Sequence, residues 1–139
     1  MSSMIVETQM RDALVKTINM FNDLPHETLK FDEIRKIIQF ARCLRKYDKQ
    51  RVLDELRELL ERHNIAFRYA NNVVKIYEVL SCAYNNNDRE LFEKNLKEFH
   101  DAVYRFGVVN SVVNDIELSD TVEHFFTRVR EMHHILESR

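Results

Sequence analysis

Apolar residues recur at helical spacing along nearly the whole chain. When each segment is wound at about 100° per residue, the apolar side chains collect on one side. The segments that behave this way predict helices over about 3–21, 31–47, 49–63, 65–84, 89–106 and 121–136. The face predicted to be buried on the first helix comprises Val6, Met10, Ala13, Leu14, Thr17, Ile18 and Phe21.

Residues that favour helix ends separate these segments. Proline disfavours helical backbone at the residue before it, and Asn and Gly tolerate the left-handed conformation that ends many helices. Asp offers a side-chain oxygen to the free backbone N–H groups of a first turn. The predicted boundaries are Pro25, which also opens a short turn, the N-caps Asp48, Asp88 and Asp120, and the C-terminal residues Asn64 and Gly107. Residues 108–116 are compatible with a short helix or an extended segment, because valine is stiff at χ1.

The helix at about 65–84 differs from the others because apolar residues cover most of its circumference. A helix of this kind is usually buried among neighbours. The pattern therefore predicts an all-α fold: one domain over residues 1–139, built as a bundle of five to six mostly antiparallel helices around this central helix.

Composition supports helices and argues against several other classes of protein. There is one glycine and one proline, which is too few for the tight turns of a sheet. Cys43 and Cys82 do not form a disulfide framework, and no leader-like or membrane-spanning apolar run occurs. We therefore expect an intracellular protein, cytoplasmic or nuclear, with no membrane interaction.

The segment 35–51 contains seven basic residues and a single acid, Asp48. On one continuous helix over about 31–51, four of these residues would form a ridge opposite the apolar face: Arg35, Arg42, Lys46 and Lys49. Such a ridge suits a polyanion or an acidic protein surface. A solvated face, or pairing with an acidic helix of the same protein or with a second subunit, is the simpler explanation. No aromatic residues interleave on this ridge to stack on bases.

No catalytic, cofactor or metal site is predicted. A single glycine cannot build a phosphate-binding loop. Glu131 and His134 have the Glu-x-x-His spacing of di-metal bundles, but a second copy is missing and His134 lies off the apolar face. Cys43 is interpreted as a buried small hydrophobe, not as a nucleophile.

Apolar residues such as Met4, Ile5 and Tyr104 fall outside the predicted buried faces. They are compatible with ordinary scattered surface residues or with a surface that binds a partner. Together with the missing catalytic constellation, they favour a non-enzymatic protein–protein interaction module, that is, an adaptor, a regulatory subunit or a self-associating protein such as a homodimer. Nucleic-acid or polyanion binding through the basic ridge is the second hypothesis.

Overall fold

The computed structural model describes residues 2–24 and 29–139, and within these ranges the chain forms helices and no strands. The helices are α1 (Ser2–Asn22), α2 (Phe31–Ala41), α3 (Lys46–Arg62), α4 (Ile65–Asn85), α5 (Arg89–Val113) and α6 (Ile116–Ser138). The predicted all-α fold is confirmed. Pro25, predicted to end the first helix and open a turn, lies outside the described residues.

The chain divides into two compact units, Met1–Ile65 and Ala66–Arg139, called here the first and the second unit. The first unit contains α1, α2 and α3, and the second contains most of α4 with α5 and α6. Each has buried apolar residues of its own. The single domain over 1–139 stays a prediction.

The first unit has a mainly aliphatic core. Its fully buried side chains include Ile18 from α1, Ile34 from α2 and Leu56 from α3. A hydrogen bond of 2.9 Å from Arg11 Nη1 to Asp48 Oδ1 links α1 to the first turn of α3. The three helices therefore share one core, with a polar contact between the first and the third.

The second predicted helix is too long. It ends at Ala41, and α3 begins at Lys46 with Arg45 at the N-cap position. The prediction failed because Leu44 keeps the apolar spacing of α2 although it lies in the turn after the helix. Leu44 is three residues after Ala41 and is buried. Asp48 is not an N-cap, since it lies inside the first turn of α3.

The core of the second unit contains buried aromatic side chains among aliphatic ones. Phe92 and Phe99 of α5 are fully buried, and they pack with side chains of α4 and α6 in one cluster. The other buried members of the cluster are Ala70, Val73, Ile76, Leu80, Ala83, Ala102, Phe106, Val122, Val129, Met132 and Leu136. All of them belong to residues 66–139, so this cluster lies within the second unit.

The boundary between α5 and α6 also differs from the prediction. Gly107 does not end a helix, because α5 continues to Val113 and ends at Asn114, whose φ is 58°. The N-cap of α6 is Asp115, not Asp120: its side chain accepts a 3.0 Å hydrogen bond from the Leu118 backbone N–H. Burial of Val109 and Val112 extends the core face of α5, and this outweighs the modest helix propensity of valine. The ambiguous residues 108–116 are thus helical up to Val113.

The fourth predicted helix agrees closely with α4, and its flanking residues behave as expected. Asn64 has a φ of 53°, and Asp88 accepts a 3.0 Å hydrogen bond from the Leu91 N–H as the N-cap of α5. However, Phe67 and Val79 of α4 are exposed. The apolar residues that encircle α4 are therefore only partly enclosed.

Candidate interaction surface

The four predicted site residues do not share one helix. Arg35 is on α2, Arg42 is in the turn that follows it, and Lys46 and Lys49 are in the first turn of α3. The chain bends between them, so the prediction that they form a ridge along one continuous helix over about 31–51 is wrong.

Several cations of this segment are paired within the first unit. Arg35 lies 3.6 Å from Asp32, Arg45 Nε lies 3.1 Å from Glu7, and Arg51 Nε lies 3.5 Å from Glu55. Within the described ranges, Arg42 and Lys46 are exposed and have no carboxylate within ion-pair distance. The cationic surface that remains for a ligand is therefore smaller than the sequence pattern indicates.

One side of α1 presents apolar side chains to solvent. The predicted buried face of this helix is too wide: Leu14 and Ile18 are buried, but Val6, Met10 and Ala13 are exposed. The exposed fractions are 54% for Val6, 39% for Met10 and 63% for Met20, which is large for such side chains. Three of the seven residues of the predicted buried face are therefore exposed.

Together with the half-buried Thr17, the exposed residues on this side form a regular pattern that we call the α1 stripe. It consists of Val6, Met10, Ala13, Thr17, Met20 and Leu24, spaced alternately by four and three residues. That alternation is the spacing of the apolar seam in a coiled coil, where each residue packs between four residues of a facing helix. Leu24 follows the last turn of α1, and its backbone N–H bonds to the Phe21 carbonyl oxygen at 3.2 Å.

A shallow groove of about 330 Å³ lies beside α1 and is lined by Arg11, Asp12, Val15, Lys16, Asn19 and Arg51. Its guanidinium groups are already engaged: Arg11 contacts Asp12 and Asp48, and Arg51 contacts Glu55. The hydrogen bond with Asp12, with a further contribution from Asp48, raises the pKa of Arg11. The groove is thus mostly polar, and both of its arginines are already paired with carboxylates.

Sequence reasoning missed a group of polar side chains in the second unit. His133 Nε2 lies 2.9 Å from Glu93 Oε1 and 3.1 Å from Glu137 Oε1. The four-residue spacing of His133 and Glu137 on α6 is visible in the sequence. Glu93 is on α5, 40 positions away from His133, and only the packing of the two helices brings it to the site.

The remaining candidates from the sequence are His134, Tyr104 and the two cysteines. His134 and Tyr104 are exposed, and so are both cysteines. The expectation that Cys43 is buried is wrong, because Cys43 is exposed. Its thiol donates a 3.7 Å hydrogen bond to the Gln39 carbonyl oxygen.

Comparison with protein-family models, with curated proteins and with solved structures finds no match for this chain. Among the described residues, no helix combines the length and the apolar character needed to cross a lipid bilayer. The geometry of the surfaces is therefore the basis for a functional proposal.

Proposed function

We propose that the chain is a non-enzymatic interaction module that associates with a second copy of itself through the α1 stripe. The observation that carries the proposal is the coiled-coil spacing of the α1 stripe, whose members are exposed and apolar except for the half-buried Thr17. Scattered surface residues would not be expected to keep an alternating four- and three-residue period along a whole helix.

The order of side-chain sizes along the stripe favours a second copy as the partner. The two small residues, Ala13 and Thr17, lie in the middle, and larger residues lie on both sides. If two α1 helices pack antiparallel, Ala13 of one copy faces Thr17 of the other, Met10 faces Met20, and Val6 faces Leu24. The stripe is therefore complementary to itself about a two-fold axis, as an isologous dimer requires.

Thr17 is the one polar member of the stripe, and its hydroxyl is already satisfied. It donates a hydrogen bond of 2.9 Å to the Ala13 carbonyl oxygen of the preceding turn. Burying an unsatisfied hydroxyl would cost about 1–3 kcal/mol, whereas the Thr17 hydroxyl would keep this hydrogen bond when it is buried. Thr17 is therefore compatible with a dry helix–helix contact.

The size of the stripe indicates weak association. Fully burying an exposed Val, Leu or Met side chain stabilises by about 1.5–3 kcal/mol, and the residues here are only about half exposed. Loss of translational and rotational freedom opposes association by at least about 4 kcal/mol. We expect a dimer that forms as the concentration rises through the micromolar range, not an obligate one.

Sedimentation velocity over a concentration series tests the proposal. The unmodified chain should show a monomer–dimer equilibrium, and the double variant Met10→Glu/Met20→Glu should be monomeric, because two charges per copy would enter the apolar contact. Ile5→Glu is the matched control: Ile5 is also exposed, but lies about 100° round the helix from Val6. A chain that stays monomeric at the highest concentration, or a dimer that survives Met10→Glu/Met20→Glu, contradicts the proposal.

The orientation of the pair can be tested by disulfide cross-linking. In a Cys43→Ser/Cys82→Ser background, an equimolar mixture of Ala13→Cys and Thr17→Cys chains should oxidise mainly to the mixed dimer. A parallel pair would instead cross-link Ala13→Cys to itself. Predominant self-cross-linking of Ala13→Cys therefore contradicts the antiparallel arrangement.

Polyanion binding is the competing hypothesis, and it needs Arg42, Lys46 and Lys49. Binding of mixed-sequence DNA or RNA at low salt that is lost when these three residues are changed to Glu would favour it. The same variant should leave self-association intact, because none of the three belongs to the α1 stripe. The two hypotheses are therefore tested by different measurements on this variant, nucleic-acid binding for one and self-association for the other.

A further inference from the structure

We propose that Glu93, His133 and Glu137 form a binding site for a divalent transition-metal ion of the zinc type. One ligand atom from each residue lies within 4.8 Å of the other two. All three residues belong to the second unit, so the site is independent of the proposed self-association through α1.

The geometry around His133 Nε2 is the first argument. This single nitrogen faces carboxylate oxygens of both Glu93 and Glu137, at 2.9 and 3.1 Å. Nε2 carries at most one hydrogen and cannot give a well-aligned hydrogen bond to both oxygens. A cation held between the three atoms would contact all of them at once, because zinc lies about 2.0–2.2 Å from its nitrogen and oxygen ligands.

The second argument is that the imidazole is held in place by the core. The His133 ring stacks on Phe92, with ring centroids 5.7 Å apart and planes inclined by 21°. Phe92 is fully buried, and the His133 side chain is only 28% exposed. The nitrogen ligand is therefore preorganised, while the two glutamates are exposed enough to adjust and to admit an ion from solvent.

The donor set selects the class of metal. One imidazole nitrogen and two carboxylates suit zinc and its neighbours in the first transition row. Calcium takes six to eight oxygen ligands, and magnesium favours an octahedral shell of oxygens, so a nitrogen ligand disfavours both. Three protein ligands leave a fourth position for water. Bound zinc would connect α5 to α6, because Glu93 comes from one helix and the other two ligands from the next.

The test uses the full chain freed of metal, titrated calorimetrically with zinc chloride and followed by thermal unfolding. We expect one zinc ion per chain and a melting temperature raised by roughly 5 °C or more at saturation, because the ligand set exists only when α5 and α6 are packed. Cobalt should also bind, and magnesium should not. Absence of zinc binding, or tight magnesium binding, would overturn the proposal.

Variants identify the ligands. His133→Ala, Glu93→Gln and Glu137→Gln should each weaken zinc binding at least tenfold, and the two glutamine variants keep the size of the side chain. His134→Ala is the matched control, since it removes the neighbouring exposed histidine, and Cys43→Ser/Cys82→Ser controls for binding by thiols. Both controls should bind like the unmodified chain. Unchanged affinity in His133→Ala would overturn the assignment, and so would loss of binding in either control.

Discussion

The two units of this chain begin their helices differently and expose different amounts of apolar surface. In the second unit, α5 and α6 start at aspartates whose side chains accept backbone N–H groups. In the first unit, α2 and α3 start at Lys30 and Arg45, neither of which provides a side-chain cap. A side-chain N-cap stabilises a helix by about 1 kcal/mol, so the residues at the helix starts stabilise α5 and α6 more than α2 and α3.

The distribution of exposed apolar residues follows the same division. In the second unit they are spread over three helices, for example Phe67 on α4, Tyr104 on α5 and Ile135 on α6. In the first unit most of them belong to α1 or directly follow it. The exposed apolar residues of the second unit are thus dispersed over three helices, whereas most of those of the first unit lie on or next to α1, where the proposed self-association would cover them.

The largest expected effect separates the two cores. Phe99→Ala should lower the free energy of unfolding of the second unit by about 3–5 kcal/mol, because it removes a fully buried aromatic side chain and leaves a cavity. Hydrogen exchange with peptide resolution should show the lost protection within residues 66–139. Leu56→Ala is the counterpart in the first unit. Equal loss of protection in both units after either substitution would mean that they unfold together, and the comparison would fail.

A smaller effect tests the N-cap of α6. Asp115→Ala should destabilise by about 1 kcal/mol in urea denaturation, because the Leu118 N–H loses its side-chain acceptor. Asp120→Ala should change the stability by less than about 0.5 kcal/mol, as expected for an exposed position within a helix. If Asp120→Ala proves the more damaging of the two, α6 begins later than described above.

Substitution of Gly107 is expected to increase the stability of the protein. Because it lies inside α5 and a Cβ atom there would meet nothing within 4 Å, Gly107→Ala should stabilise by about 0.5–1 kcal/mol. The matched control is Asn114→Ala, which should destabilise because Asn114 is left-handed. The midpoint of thermal unfolding distinguishes the two. A loss of stability in Gly107→Ala would contradict a continuous α5.

The smallest expected effect comes from adding a side-chain N-cap to α2, which lacks one. Lys30 has extended backbone at the N-cap of α2, so Lys30→Asp should stabilise by about 0.5 kcal/mol. Lys30→Ala, which removes the same charge without adding an acceptor, is the control. If the two variants have the same urea midpoint, the missing cap does not weaken this unit.

The sequence predicted what depends on local interactions. The bounds of α1 and α4, the left-handed Asn64 and the Asp88 cap all follow from periodicity and from residues close to the helix ends. The errors at Leu44 and Gly107 have a shared cause, since burial decided where the helix stopped or continued. Packing between helices also decided which residues of the predicted α1 face stayed exposed.

The candidate sites show the same limit. The four basic residues predicted as a ridge depended on a helix that in fact ends at Ala41. The His133–Glu137 pair is local and visible in the sequence, but Glu93 joins it only through the packing of α5 against α6. Periodicity finds faces, and contacts between helices decide which residues of a face meet.

Within residues 2–24 and 29–139, three asparagines have left-handed backbone: Asn64, Asn87 and Asn114, with φ values of 53°, 53° and 58°. Asn114 directly follows the end of α5, Asn64 lies between α3 and α4, and Asn87 lies between α4 and α5. Glycine would take this conformation more easily in the folded state, but it would also give the unfolded chain more conformations to lose. By using asparagine at these turns, the protein changes chain direction while keeping its denatured ensemble narrower than glycine would allow.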